Sequence, residues 1–240
     1  MENSFYQRTA YALSDEPVPS CFLTLDDHLR AHLPTTDAGA YHYCLVLAEL
    51  ICARMADVEM YAFLMADARK RHSLAPEDVD HASDIKTASL TRSFLIGYLG
   101  AVRALLDAAA LTLTTLYELP LSGGDCSFRN GDFWHQFVVS QPNTQRRYHA
   151  MRLHFNEMLQ WCDETAARIP PISLLQHHYG QFARRETLLQ VLDERDIDVE
   201  RLAADAIGHN WIDPLDLQQR WKPRLLALCE KLCQDIATQV

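Results

Sequence analysis

At 240 residues the chain is long enough to bury a sizeable core without disulfides or a metal, and its 48% hydrophobic and 22% charged residues are those of an ordinary globular protein. A net charge of −10, from 32 acidic and 22 basic side chains, argues against a broadly basic surface for nucleic acid or anionic membrane. Eight glycines and ten prolines leave little turn chemistry for many strands. No charged-then-apolar leader opens the sequence, and no uninterrupted apolar run has the length of a membrane span. The seven cysteines are scattered, with no CxxC pair, which fits reduced thiols in a cytoplasm.

Residues 1–19 end in Pro17 and Pro19 and read as an arm that docking would order. Thr24-Leu-Asp-Asp27 has the form of a weak capping box and predicts a short helix to about Leu33, stopped by Pro34. Asp37 then caps a long segment, Ala40 to about Arg71, where Leu47, Ile51, Met55, Val58, Ala62 and Met65 recur at helical spacing. The basic Arg69-Lys-Arg-His72 run suits the dipole at its C-terminus. Ala75-Pro-Glu-Asp78 breaks the pattern and leads into Asp84–Leu119, a proline-free stretch about 54 Å long as a helix. On that helix Leu95, Leu99, Val102, Leu106, Ala109, Leu113 and Leu116 share one face. Only a narrow strip of Arg103, Asp107, Thr114 and Glu118 reads as wet, so the helix should be buried on most sides.

After Pro120 a loop containing Gly123-Gly124 runs to about Asn130. Asp132 is expected to cap a short helix over Phe133–Val139, closed by Gln141-Pro142. Asn143 caps a further long helix to about Arg168, carrying Tyr148, Met151, Phe155, Met158 and Trp161, and Pro170-Pro171 stops it. The region 172–212 is irregular, with helical pieces at 181–193 and 199–207, the latter ended by Gly208. Asp213-Pro214 opens the last helix, which runs to about Ala237 with Pro223 in an early turn. The expected architecture is all-α, without a sheet: four long helices in a bundle and about three to five short ones, in a single domain over 1–240.

Few side chains point to chemistry. Arg103 and Asp107, at i,i+4 on the central helix, form either a polar binding site in the bundle interior or an ion pair at the core margin, the commoner arrangement on long helices. Gly97 and Gly100 allow close approach of another helix or open a groove, each at about 1 kcal/mol against alanine. His149, His154 and Glu157 lack the repeated Glu-x-x-His of di-metal bundles. Cys229 and Cys233 read as buried helical thiols rather than metal ligands beside His177 or His178. No phosphate loop, dinucleotide fingerprint or nucleophile elbow occurs, and neither a metal nor a cofactor is expected.

The stretch FLIGYLGAVRALLDAAALTLTTLYELPLSGGDCSFRNGDFW, followed by WCDETAARIPPI, resembles the bacterial, long-helix branch of the HEPN superfamily over roughly residues 90–180. Ala101, Leu105, Leu106, Asp107 and Ala109, with Tyr117 and Leu119 at the helix end, carry the likeness. The resemblance implies an all-helical, commonly homodimeric protein of toxin–antitoxin, CRISPR-linked or other defence systems. Active members are metal-independent ribonucleases that use an arginine and a histidine four to six residues apart, brought together across the dimer. Here Ala167 stands where similar members carry the histidine before Arg168-Ile-Pro, and Cys162 or a neighbour stands where the arginine would. The expectation is therefore a non-enzymatic protein acting through protein–protein contact, as an accessory or inactive member of such a system. One alternative is an endoribonuclease that uses Arg129 with His135, or Arg147 with His154, and RNA is a partner only on that reading. The other is a small-molecule-binding bundle with Arg103 and Asp107 in its pocket.

Overall fold

The computed structural model describes residues 4–13, 17–32, 38–73, 81–141, 148, 152–160, 162 and 214–239. Most of them are helical, and no strand occurs among them. Two short 3-10 turns, Phe5–Arg8 and Ala10–Leu13, precede α1 (Ser20–His32), α2 (Ala38–Ser73), α3 (His81–Leu116) and α4 (Gly131–Ser140). A helical segment, α5, covers 152–160, and α6 is Pro214–Ala237. The described residues belong to two compact units. One takes Met1–Met60, Gly100–Leu159 and Gln218–Val240; the other takes Tyr61–Leu99 and Gln160–Leu217. Asp37, Asn143, Arg147, His149, Met151, Trp161, the whole of 172–212 and Asp213 lie outside the described residues.

The N-terminal arm is docked. Phe5 is fully buried, edge-on to Phe22 of α1 at 6.5 Å, and Arg8 pairs with Glu49 of α2. α1 begins at Ser20 rather than at the Thr24 box, because Pro19 already offers its carbonyl to the Phe22 N–H at 3.0 Å. Thr24 therefore sits inside the helix.

In α3 the apolar ridge Leu95, Leu99, Val102, Leu106, Ala109, Leu113 and Leu116 is buried along its whole length. By length and composition Ser93–Leu116 is apolar enough to cross a membrane, but burial of this ridge against the chain itself accounts for that apolarity. The helix ends in a Schellman closure: Leu119 N–H reaches Thr114 O at 2.9 Å, Glu118 N–H reaches Thr115 O at 3.4 Å, and Glu118 takes φ 49°. That closure corrects one expectation. Thr114 is buried rather than wet, since the chain folds back to bring Leu119 over it.

The loop after α3 also ends differently from the expectation. Asn130, not Asp132, caps α4; its side-chain oxygen accepts the Asp132 N–H at 2.8 Å, and its amide donates to Asp125 at 3.0 Å. Asp132 falls in the first turn, where its charge suits the dipole.

The two glycines of α3 differ. A Cβ on Gly97 would fall inside the ring of Tyr61 on α2, whereas one on Gly100 would meet nothing within 4 Å. Gly97 is thus a close-packing residue, and Gly100 only weakens the helix. Gly97→Ala should destabilise the protein by about 1–3 kcal/mol by forcing Tyr61 aside, while Gly100→Ala should stabilise it by about 1 kcal/mol. Urea unfolding of the two variants checks this pair of opposite signs.

Candidate functional site

The best-defined polar site lies where the loop 120–130 returns to α3. An aromatic cluster fixes that loop. Phe128 is buried and stacks on Phe155 of α5 (4.3 Å, 11°), and its carbonyl accepts the Trp134 indole N–H at 2.7 Å. Phe133, Trp134 and Phe137 form the buried face of α4, with Arg152 of α5 lying over the Trp134 ring at 5.2 Å.

Held this way, the next residue, Arg129, donates from Nη2 to the Leu159 carbonyl at 3.2 Å. Its charge also acts on Asp107, as does that of Arg103 one helical turn before it. Arg103, Asp107 and Arg129 thus form one cluster, which joins the expected binding pair to half of an expected catalytic pair. Asp107 is exposed, as expected of the wet strip, yet the protein packed beside it desolvates the carboxyl enough to push it above its ordinary 3.8, and the two arginines only partly offset that.

His135 faces elsewhere. α4 turns Phe133, Trp134 and Phe137 inward, so His135 is exposed on the outer side with Val138 and Val139. Arg129 and His135 are both exposed, and the contact that Arg129 makes is with the Leu159 carbonyl. His154 is half-exposed on α5, its Nδ1 3.8 Å from Glu157. Its proposed partner Arg147 lies outside the described residues.

Glu157 is already engaged by α6. Arg220 Nη2 reaches Oε1 at 2.7 Å and Arg224 Nη1 reaches Oε2 at 3.3 Å, while both guanidiniums lie over the Trp221 ring between them in sequence. The Arg220 hydrogen bond, helped by Arg224, holds the Glu157 carboxyl below the usual range. Two arginines on that carboxylate would repel a cation shared with His154. Among the described residues no group of three metal-ligating side chains is placed to hold an ion. Cys229 and Cys233 are buried thiols.

Two clusters were not anticipated from the sequence. Arg220-Trp-Lys-Pro-Arg224 carried a signal, since two arginines flank a tryptophan at one-turn spacing. The second is a cavity between α1 and α6, and no local motif pointed to it. Comparison with known protein families, with characterised proteins and with solved structures finds no match to this chain.

The raised Asp107 pKa has a definite sign. The folded state binds this proton more tightly than the unfolded chain, so the carboxylate opposes folding above the folded-state pKa, and the effect vanishes below the ordinary 3.8. Asp107→Asn should raise Tm at pH 7, with the gain fading as pH falls through the carboxyl range. Thermal melts at the two ends of that range check it; a lower Tm at pH 7 would mean that the arginines dominate instead.

Proposed function

We propose that this chain is a non-enzymatic, HEPN-like helical protein that works by binding protein, beginning with a second copy of itself. The observation that carries this reading is a set of exposed apolar side chains on α2 and α3. Tyr43 and Val46 of α2, three apart, lie on one side of that helix, and Leu111 and Glu118 of α3, seven apart, on one side of the other. Partial burial first, then the charges of Cys44 and Glu118, raise the Tyr43 pKa, so Glu118 of α3 lies within electrostatic reach of Tyr43 on α2. Val46 is 64% exposed and Leu111 45% exposed. Aliphatic side chains grouped in this way on a helix pair favour a protein partner over water.

The dimer that the family resemblance implies supplies the occupant: a second copy, its exposed apolar side chains against those of the first, about a two-fold axis. An accessory or catalytically inactive role in a defence or toxin–antitoxin assembly agrees with this reading. So does the engagement of Arg129 with the Leu159 carbonyl and the Asp107 charge.

Sedimentation equilibrium is expected to return twice the mass of the chain. Val46→Glu combined with Leu111→Glu should weaken self-association at least about 100-fold while leaving the helical circular-dichroism signal intact. A wild-type chain that stays monomeric at its highest soluble concentration would overturn the reading. Incubated with RNA in EDTA, the protein should leave it intact; cleavage that disappears in Arg129→Ala, His135→Ala or His154→Ala would establish the nuclease alternative.

A further inference from the structure

Four of the seven cysteines gather where α1, α2 and α6 meet: Cys21 on α1, Cys52 on α2, and Cys229 and Cys233 one turn apart on α6. Their surroundings differ. Cys52 and Cys229 are fully buried; burial pushes Cys52 up to about 12 and Cys229 well above the thiol range, so both stay protonated and inert. Cys21 is only half-buried and is the second residue of α1. It shares with buried Cys233 the wall of a cavity of about 290 Å³ between α1 and α6, which Thr24, His28 and Glu230 also line. The cavity is braced at its far end, where His28 Nε2 donates to the Ala237 carbonyl at 3.1 Å.

We propose that Cys21 and Cys233 are a peroxide-responsive thiol pair, Cys21 as the attacking sulfur and Cys233 as the resolving one, whose disulfide staples α1 to α6. The placement fits each role. Cys21 is half-buried and lines the cavity, whereas Cys233 on the same wall is buried. The Cys233 thiol acts first to hold Cys21 below the ordinary thiol range, and the backbone N–H groups of Cys21 and Phe22 at the helix start add to it; together they outweigh burial and Glu230. Cys233 is pushed well above that range by Cys21 and by burial, so it waits as a thiol. A low-pKa, accessible cysteine beside a second one is the arrangement that peroxide-sensing thiols require. A cysteine–histidine nucleophile is a poorer account. His28 is seven residues along the same helix, about 10 Å away by helical rise.

The oxidant is a hydroperoxide. The Cys21 thiolate attacks the terminal peroxide oxygen, the O–O bond breaks, and the departing alkoxide or hydroxide takes a proton; Cys21 becomes a sulfenic acid, oxidised by two electrons. The Cys233 sulfur then attacks the Cys21 sulfur and forms the S–S bond. The sulfenic hydroxyl leaves with the Cys233 proton as water. In sum, two thiols and one hydroperoxide give one disulfide, one alcohol or water, and a further water.

The test uses the full chain, reduced and then exposed to a small molar excess of hydrogen peroxide. The remaining thiols are alkylated and peptides are mapped without reductant. The expected result is a chain lighter by two hydrogens whose dominant cross-linked peptide joins Cys21 to Cys233. Before oxidation, Cys21 should be alkylated at least about tenfold faster than any other cysteine at neutral pH. Cys233→Ser should accumulate a Cys21 sulfenic acid that a cyclic 1,3-diketone captures, and Cys21→Ser should leave Cys233 unoxidised. A Cys21 that stays reduced while other cysteines react, or that links to Cys52, Cys229 or another molecule, would overturn the proposal. The wild-type map decides this even where a variant fails to fold.

Discussion

A row of seven side chains on α3, Leu95, Leu99, Val102, Leu106, Ala109, Leu113 and Leu116, has to leave water if that helix is to exist. Each leucine contributes roughly 1.5–3 kcal/mol when fully buried, against which the ordering of a long backbone must be set. The structure meets this requirement on the ridge side, where all seven are buried. It does not meet it all round. Leu111 faces solvent, as do Val46 and Tyr43 of α2. One helix thus carries both the core and the surface from which the proposed self-association follows.

The polar groups are arranged around that ridge. Asp107 projects from the side of α3 away from it, where the returning loop brings Arg129. That loop has a fixed path because Phe128 is stacked on Phe155 and its carbonyl holds the Trp134 indole. The same aromatic cluster turns His135 outward. Packing of apolar rings, not attraction between charged groups, therefore decides which polar side chains meet. Along α5 and α6, Glu157 bridges two arginines, and Tyr148 donates to the buried carboxylate of Asp235 at 2.7 Å. These links tie the Gln218–Ala237 part of α6 to the rest of its unit.

Helical spacing made the ridge legible in the sequence, and proline positions placed the breaks within a few residues. The helix starts were less legible. Thr24 and Asp132 have capping chemistry, but the Pro19 carbonyl and the Asn130 side chain act a few residues earlier. Thr114 looked wet because it lies on the polar side of α3, and only the left-handed turn at Glu118, at a residue other than glycine, folds the chain back over it. The site was legible only in halves. Arg103 with Asp107 follows from i,i+4 spacing, whereas the approach of Arg129 depends on a loop path that no local pattern encodes. The meeting of Cys21 with Cys233 is of the same kind, joining two helices far apart in sequence. The HEPN resemblance remains a proposal resting on the residues that carry it.

Hydrogen–deuterium exchange of the intact chain, followed peptide by peptide, tests the organising role of α3 most directly. If the buried ridge from Val102 to Leu116 is the centre of the unit that contains it, amides over Val102–Leu116 should exchange last, and only through global unfolding. Exchange of those amides before the amides of α1 would contradict the account.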